Sequence, residues 1–307
     1  MLFTLRCMRA LLTLALLASA ACAASPEADS PNAASKPPEV ALENTESRSI
    51  TSRIEGRTYG LLVALPDGYA ESTKAYPVLY VLDGWHFPLV DFLAEQGVYA
   101  RTMPHLIVVT LDQGDGRETR GRVMDLRRLD FTPTKVQGDD YSGGADKFLA
   151  FMEGELIPYV DATYRTDRND RGLLGHSYGG LFAIYALLHR PDLFTRIVAA
   201  SPSLGWDEGS LVKAAPGLLF KKQFRTRIDF SYGSDESGEE KLESVQPFFW
   251  TLDALKPEGL EYRFTIYPGE NHNSVRPYSF AGGLAWVYRD GPGPGRLSGG
   301  GAGPVVK

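Results

Sequence analysis

Cysteine is nearly missing from this chain: Cys7 and Cys22 are the only two in 307 residues, and both lie close to the N-terminus. Everything downstream therefore lacks a disulfide framework, a cysteine nucleophile and a thiolate metal site. Basic residues show no excess either. Lysine and arginine total 32 against 38 acids, a net charge of −6, and they are spread along the chain, so no nucleic-acid footprint is present. After the first 25 residues no apolar run is long enough to span a bilayer. Histidine is scarce, with five in all, which narrows the search for a general base. No internal repeat occurs.

What is present is the composition of a globular protein, 43% hydrophobic and 23% charged, with enough apolar residues for a sizeable core. The first residues form a separate unit. Arg6 and Arg9 precede "ALLTLALLASAACAAS", the charged, then apolar, then small-residue order of a secretory signal peptide, which we place at residues 1–23. Ala21-Cys22-Ala23 suits cleavage to a soluble exported form. Ser19-Ala20-Ala21-Cys22 resembles a lipoprotein box, which would anchor the chain through Cys22. Both readings imply a periplasmic or secreted location. Residues 24–47, rich in Ala, Ser, Pro and Glu, read as a flexible linker, and the Gly/Pro-rich residues 291–307 as a disordered tail. A single α/β domain is expected over residues 48–290.

Within that span, "YGLLVALP" and the run before it read as an antiparallel strand pair. "YPVLYVLDG" and "HLIVVTLDQG" are nearly continuous apolar runs, as strands buried on both faces of a parallel sheet require. "HFPLVDFLAEQGVYA" between them has helical periodicity. "GADKFLAFMEGELIPYVDATY" reads as a helix with Leu149, Met152, Leu156 and Val160 on one face. "RGLLGHSYGG" ends a further strand and leads into the helical "LFAIYALLHRP". "TRIVAASPS", "RIDFSYGSDE" and "LEYRFTIYPGENH" supply three more strands, and a helix over about 239–255 separates the last two. The alternation predicts a mostly parallel sheet with helices on both faces and functional residues beyond the carboxyl ends of its strands.

One stretch carries chemistry. A bare G-x-S-x-G is weak, but here Gly175, Ser177 and Gly179 follow an apolar strand and precede an apolar helix, the setting of a nucleophile elbow. Gly175 and Gly179 would remove Cβ atoms that collide across such a turn, and Gly180 would let the helix pack close to the strands. Serine is a poor nucleophile without a base. Triads on such elbows run serine, acid, histidine along the chain. Only His189 and His272 follow Ser177. His189 lies inside a helix, whereas His272 follows the last strand in "YPGENHNS", where the base should enter. The acid should follow "RIDFSYG", which makes Glu236 the candidate with Asp235 next, while Glu239 and Glu240 suit the start of a helix. Oxyanion donors are expected from the backbone N–H groups of Tyr178 and Trp85, by position alone.

These segments resemble the esterase D-like branch of the α/β-hydrolases, the "putative esterase" family, over about Tyr59 to Trp286. "YPVLYVLDG", "RRLDFTP", "FLAFMEGELIPYVDATYRTD", "GLLGHSYGGLFAIYALLHRPDLF", "ASPSLGWD" and "PGENHNS" occur in the family's order. The chain is most similar to exported bacterial members that include siderophore-trilactone hydrolases. The resemblance implies an α/β-hydrolase fold and carboxylic-ester hydrolysis on a small-molecule ester, with no metal or organic cofactor. Some siderophore esterases work with a serine–histidine pair alone, so the resemblance leaves the acid open.

"GDGRETRGRVMDLRRLDFTP" reads as a loop over the site mouth, holding Arg117, Arg120, Arg122, Arg127 and Arg128 among nearly balancing acids. Most of these read as solvated. Arg127 is singled out as a candidate substrate-binding residue, with pairing to Asp130 as its structural alternative. Among the aromatic residues Trp85, Phe87, Tyr141 and Trp206, Trp206 is the best placed to line an acyl pocket. The reading is a serine esterase. Its alternatives are an acyltransferase using the same acyl-enzyme, or a non-catalytic exported binding protein for ester ligands.

Overall fold

Each apolar run read above as a strand is one in the computed structural model, which describes residues 42–114, 118–238 and 241–289. The signal peptide, residues 24–41 of the linker, Arg117, Glu239, Glu240 and the tail lie outside the described residues. The strands are β1 (Thr45–Thr51), β2 (Thr58–Ala64), β3 (Tyr76–Leu82), β4 (Ile107–Asp112), β5 (Thr166–His176), β6 (Arg196–Ala200), β7 (Gln223–Gly233) and β8 (Glu258–Tyr267). They form one sheet in the order β1-β2-β4-β3-β5-β6-β7-β8, antiparallel at β1–β2 and β2–β4 and parallel elsewhere. β1 starts at Thr45, so the sheet takes in three residues that composition assigned to the linker. Their polar side chains hide the start of the strand, because its backbone pairs with β2 while its outer edge faces water.

The helices are α1 (Phe87–Tyr99), α2 (Arg120–Phe131), α3 (Ala145–Phe151), α4 (Ile157–Thr163), α5 (Tyr178–His189), α6 (Trp206–Leu219), α7 (Leu242–Leu255) and α8 (Arg276–Val287). Side chains alternate across the buried strands. Val78, Tyr80 and Leu173 enter a core with Phe131, Phe148, Leu181 and Phe248, whereas Leu79, Val81 and Leu174 meet Val90 of α1 and Phe280 and Leu284 of α8. Helix α5 is buried from Gly179 to Leu188, which is why its sequence is apolar all round. A π-helical turn over Met152–Leu156 joins α3 to α4, next to Pro158, whose missing N–H cannot serve the carbonyl of Gly154.

The arginine-rich loop expected after β4 is a helix, α2, and this corrects the sequence reading. Its inner face is Leu126, Arg127, Asp130 and Phe131, so two of the four inward positions are charged and the apolar stripe is interrupted. Thr119 caps it, accepting from the Arg122 N–H at 3.3 Å. Helices α6 and α8 add to the expected elements. Among the described residues no helix is long and apolar enough to cross a membrane.

Candidate active site

β5 is a central strand, and its end is built from residues that permit a break. Ser177 leaves it with φ 62° and ψ −122°, a conformation that costs a residue with a side chain about 1–3 kcal/mol. Three backbone bonds hold it there. Its N–H donates to the Ala200 carbonyl at 3.0 Å, and its own carbonyl accepts from Leu181 at 2.9 Å and Ser203 at 3.2 Å. A Cβ on Gly175 would lie 2.2 Å from the Gly179 carbonyl oxygen, and one on Gly180 2.9 Å from that of Ala200, so both positions require glycine. Gly179 is different. A Cβ there would meet nothing closer than 3.4 Å, so the collision expected at this position does not exist.

The parallel register brings the ends of β3, β5, β6, β7 and β8 to one edge, with His176 opposite Ala200, Ala200 opposite Ser231, and Gly233 opposite Tyr267. His272 follows β8 in a turn closed by Asn271, whose Oδ1 accepts from Asn273 at 2.9 Å and Ser274 at 3.2 Å. Its Nδ1 lies 3.0 Å from Oε2 of Glu236. The Glu236 side chain is 2% exposed and the His272 ring 28%. The other Glu236 oxygen, Oε1, accepts from the Ser201 hydroxyl and the Gly233 N–H, both at 2.6 Å. Asp235, the alternative acid, points elsewhere: its carboxylate accepts from Ser234. Two bonds lace the loops that carry acid and histidine, Ser234 N–H to Tyr267 and Asp235 N–H to Glu270, both 3.0 Å.

His189 is a packing residue, stacked on Tyr185 at 4.0 Å with Nδ1 at the Tyr185 carbonyl. Trp85 stands 45% exposed in the short turn Gly84–His86 after β3. The Tyr178 N–H opens α5, ahead of the first amide in the helical ladder, that of Leu181. Trp206, expected to line a pocket, is 6% exposed, donates its indole N–H to Thr134, and packs edge-on against Tyr178 at 5.4 Å. Phe87, the first residue of α1, is buried in the core. Of the arginines, Arg128 pairs with Asp125 and Asp139, and Arg122 lies over Tyr141.

Arg127 corrects its expectation most. It is 4% exposed and does not pair with Asp130, which Arg57 takes instead. Its Nε donates to Asp83 Oδ1 at 2.7 Å and its Nη2 to the His176 carbonyl at 2.8 Å. A buried guanidinium with those two acceptors is not a surface grip for substrate.

Sequence reasoning missed a buried polar layer beneath the edge. His176 Nε2 lies 2.8 Å from the His272 carbonyl, and their rings lie 4.5 Å apart. Burial, then the neighbouring His272, His86 and Arg127, keeps the His176 pKa well below the ordinary histidine value, so the ring is neutral and Nε2 carries the donated hydrogen. His86 Nε2 stands 3.9 Å from Asp83 Oδ2, beyond hydrogen-bonding reach. Burial lifts the Asp83 carboxyl, and Arg127 offsets part of that rise. Ser203 Oγ is 3.3 Å from Ser177 Oγ. The visible signals were the polar residues "HS" and "SPS" closing apolar strands. Among the described residues no three His, Cys, Asp or Glu side chains are grouped as a metal site would need.

The family described as "Putative esterase" matches residues 52–254. The ferri-bacillibactin esterase BesA of Bacillus subtilis is 29% identical over 272 residues, covering 82% of this chain and 92% of that protein. An apo-salmochelin esterase of Escherichia coli is 30% identical, covering 73% of each. The crystal structure of the BES protein from Bacillus cereus superposes with a TM-score of 0.74 at 28% identity, covering 84% of this chain and all of that one.

Proposed function

The chain belongs to this esterase family and is an ester hydrolase, and on that premise we propose that it opens siderophore-type ester or lactone bonds through an acyl-enzyme on Ser177. In this reading His272 Nε2 takes the Ser177 proton as Oγ attacks the ester carbonyl. The carbonyl oxygen becomes an oxyanion facing the N–H groups of Tyr178 and Trp85. Collapse breaks the C–O bond, and the imidazolium returns its proton to the departing alkoxide. Water, deprotonated by His272, then attacks the acyl-enzyme, and the acid product leaves with Ser177 protonated again. Glu236 holds the Nδ1–H tautomer and stabilises the imidazolium.

The observation that carries this reading is the convergence of a strained serine and an acid-bonded histidine at one edge of the parallel strands. The substrate class is supported by two relatives, the esterases of ferri-bacillibactin and apo-salmochelin. The N-terminal order of charged, apolar and small residues supports export, either as a soluble protein or anchored through Cys22.

The test is hydrolysis of a ferric catecholate trilactone, followed by mass spectrometry of the linear products. The wild-type chain should release them, and Ser177→Ala should lower the rate about 10⁴-fold or more with its melting temperature preserved. Substantial turnover by that variant would remove Ser177 from the mechanism. Ester products appearing when a competing alcohol is added would favour acyl transfer over hydrolysis.

A further inference from the structure

The two expected oxyanion donors come from different strands. Trp85 lies two residues beyond Asp83, which directly follows β3, and Tyr178 lies two residues beyond His176, which ends β5. The strands are neighbours, with Val81 opposite Leu174, but sheet pairing stops there, and both chains turn sharply beyond it. Asp83 has φ 76° and Ser177 φ 62°. Something other than the ladder must fix the distance between the two turns.

Arg127 spans that gap. One guanidinium donates to the Asp83 side chain on one turn and to the His176 backbone on the other, at 2.7 and 2.8 Å. Its central carbon lies 5.7 Å from the Trp85 ring and 5.5 Å from the Tyr178 ring, so it is close to the side chains of both donor residues. Phe131 of its own helix closes a further side at 5.6 Å. Burial shields both bonds from competing water. A rigid planar fork can hold two diverging acceptors at fixed separation, which a lysine ammonium on a flexible stem cannot do.

We infer that Arg127 is a positioning residue, a buried clamp that sets the spacing of the Trp85 and Tyr178 amides and so forms the oxyanion site without touching substrate. This rests on the proposed role of those two amides. It predicts a loss in the rate of the chemical step, where the negative oxygen develops, and little change in the binding of neutral ester.

The experiment uses the full chain and four variants: Arg127→Lys, Arg127→Met, Asp83→Asn and the double Arg127→Met/Asp83→Asn. The double variant removes the unpaired buried charge that Arg127→Met alone would leave, and serves where the single variant fails to fold. Readouts are kcat and KM for p-nitrophenyl acetate and the inhibition constant of a trifluoromethyl ketone, which carries its anionic oxygen where the transition state does. Labelling of wild-type Ser177 by a fluorophosphonate comes first. Absence of labelling in folded protein overturns the site reading and the clamp with it.

With labelling in hand, kcat should fall about 100-fold in Arg127→Met and in the double variant, as for loss of an oxyanion donor. KM should stay within about threefold, and ketone affinity should fall in proportion to kcat/KM. Arg127→Lys should recover only part of the rate. Wild-type kcat in the double variant would overturn the proposal, since Arg127 would then serve only to neutralise Asp83. A rise in KM at constant kcat would overturn it in favour of substrate contact.

Discussion

His86 carries no charge at neutral pH, because burial, with Arg276 and Arg127 nearby, pulls its pKa down to about 3. In the unfolded chain the same ring titrates near 6.5. Between those values the unfolded state binds a proton that the folded state refuses, so stability rises with pH through this window and is lost as pH falls below about 6.5. Above it both states are neutral and His86 contributes no slope. His86→Phe keeps an aromatic ring against Phe280 and removes the titration. Wild type should therefore lose stability relative to His86→Phe by up to about 1.4 kcal/mol per pH unit below 6.5, measured by denaturant unfolding from pH 7 to pH 4. A pH-independent difference would mean that His86 takes up its proton while the protein is folded. Ser177, His272 and Glu236 were candidates in the sequence because each follows closely on a strand end and carries a chemically suitable side chain. His86, His176 and Asp83 were not. Their roles arise from contacts across β3, β5 and the His272 turn, and a histidine on a strand end gives no local sign of whether it is buried and neutral.

Helix α2 shows what a pattern of apolar residues conceals. Its inward Arg127 and Asp130 are paired with Asp83 and Arg57, partners 44 and 73 residues away along the chain, so local charge reads as solvation when it is burial. The start of β1 stayed hidden for a related reason, since its Thr, Glu and Ser residues read as linker while their backbone pairs with β2. The elbow itself was read correctly in outline and over-read at one glycine. Gly175→Ala forces a Cβ against the Gly179 backbone and should cost several kcal/mol and nearly all activity. Gly179→Ala meets only ordinary contact distances, and should change stability by no more than about 1 kcal/mol and retain most activity. Thermal melts and esterase assays on the two variants check this contrast. Equal damage from both would mean that the turn needs glycine for a reason other than space.

Across the whole molecule, the architecture was the most legible feature. Doubly buried strands must be continuously apolar, and their alternation with helices leaves few topologies, so sheet class and site edge followed from the order of runs. What stayed out of reach was the lacing of the loops after β7 and β8, because the Ser234–Tyr267 and Asp235–Glu270 bonds are backbone bonds with no side-chain signature. Activation of one serine at this edge is the heart of the proposed mechanism. Its most direct measurement is intact-mass analysis of the chain after reaction with a fluorophosphonate. We predict one adduct, mapped to Ser177, slowed in Glu236→Gln and lost in His272→Ala. An unmodified mass in folded wild-type protein, or an adduct that persists undiminished in His272→Ala, would contradict the account.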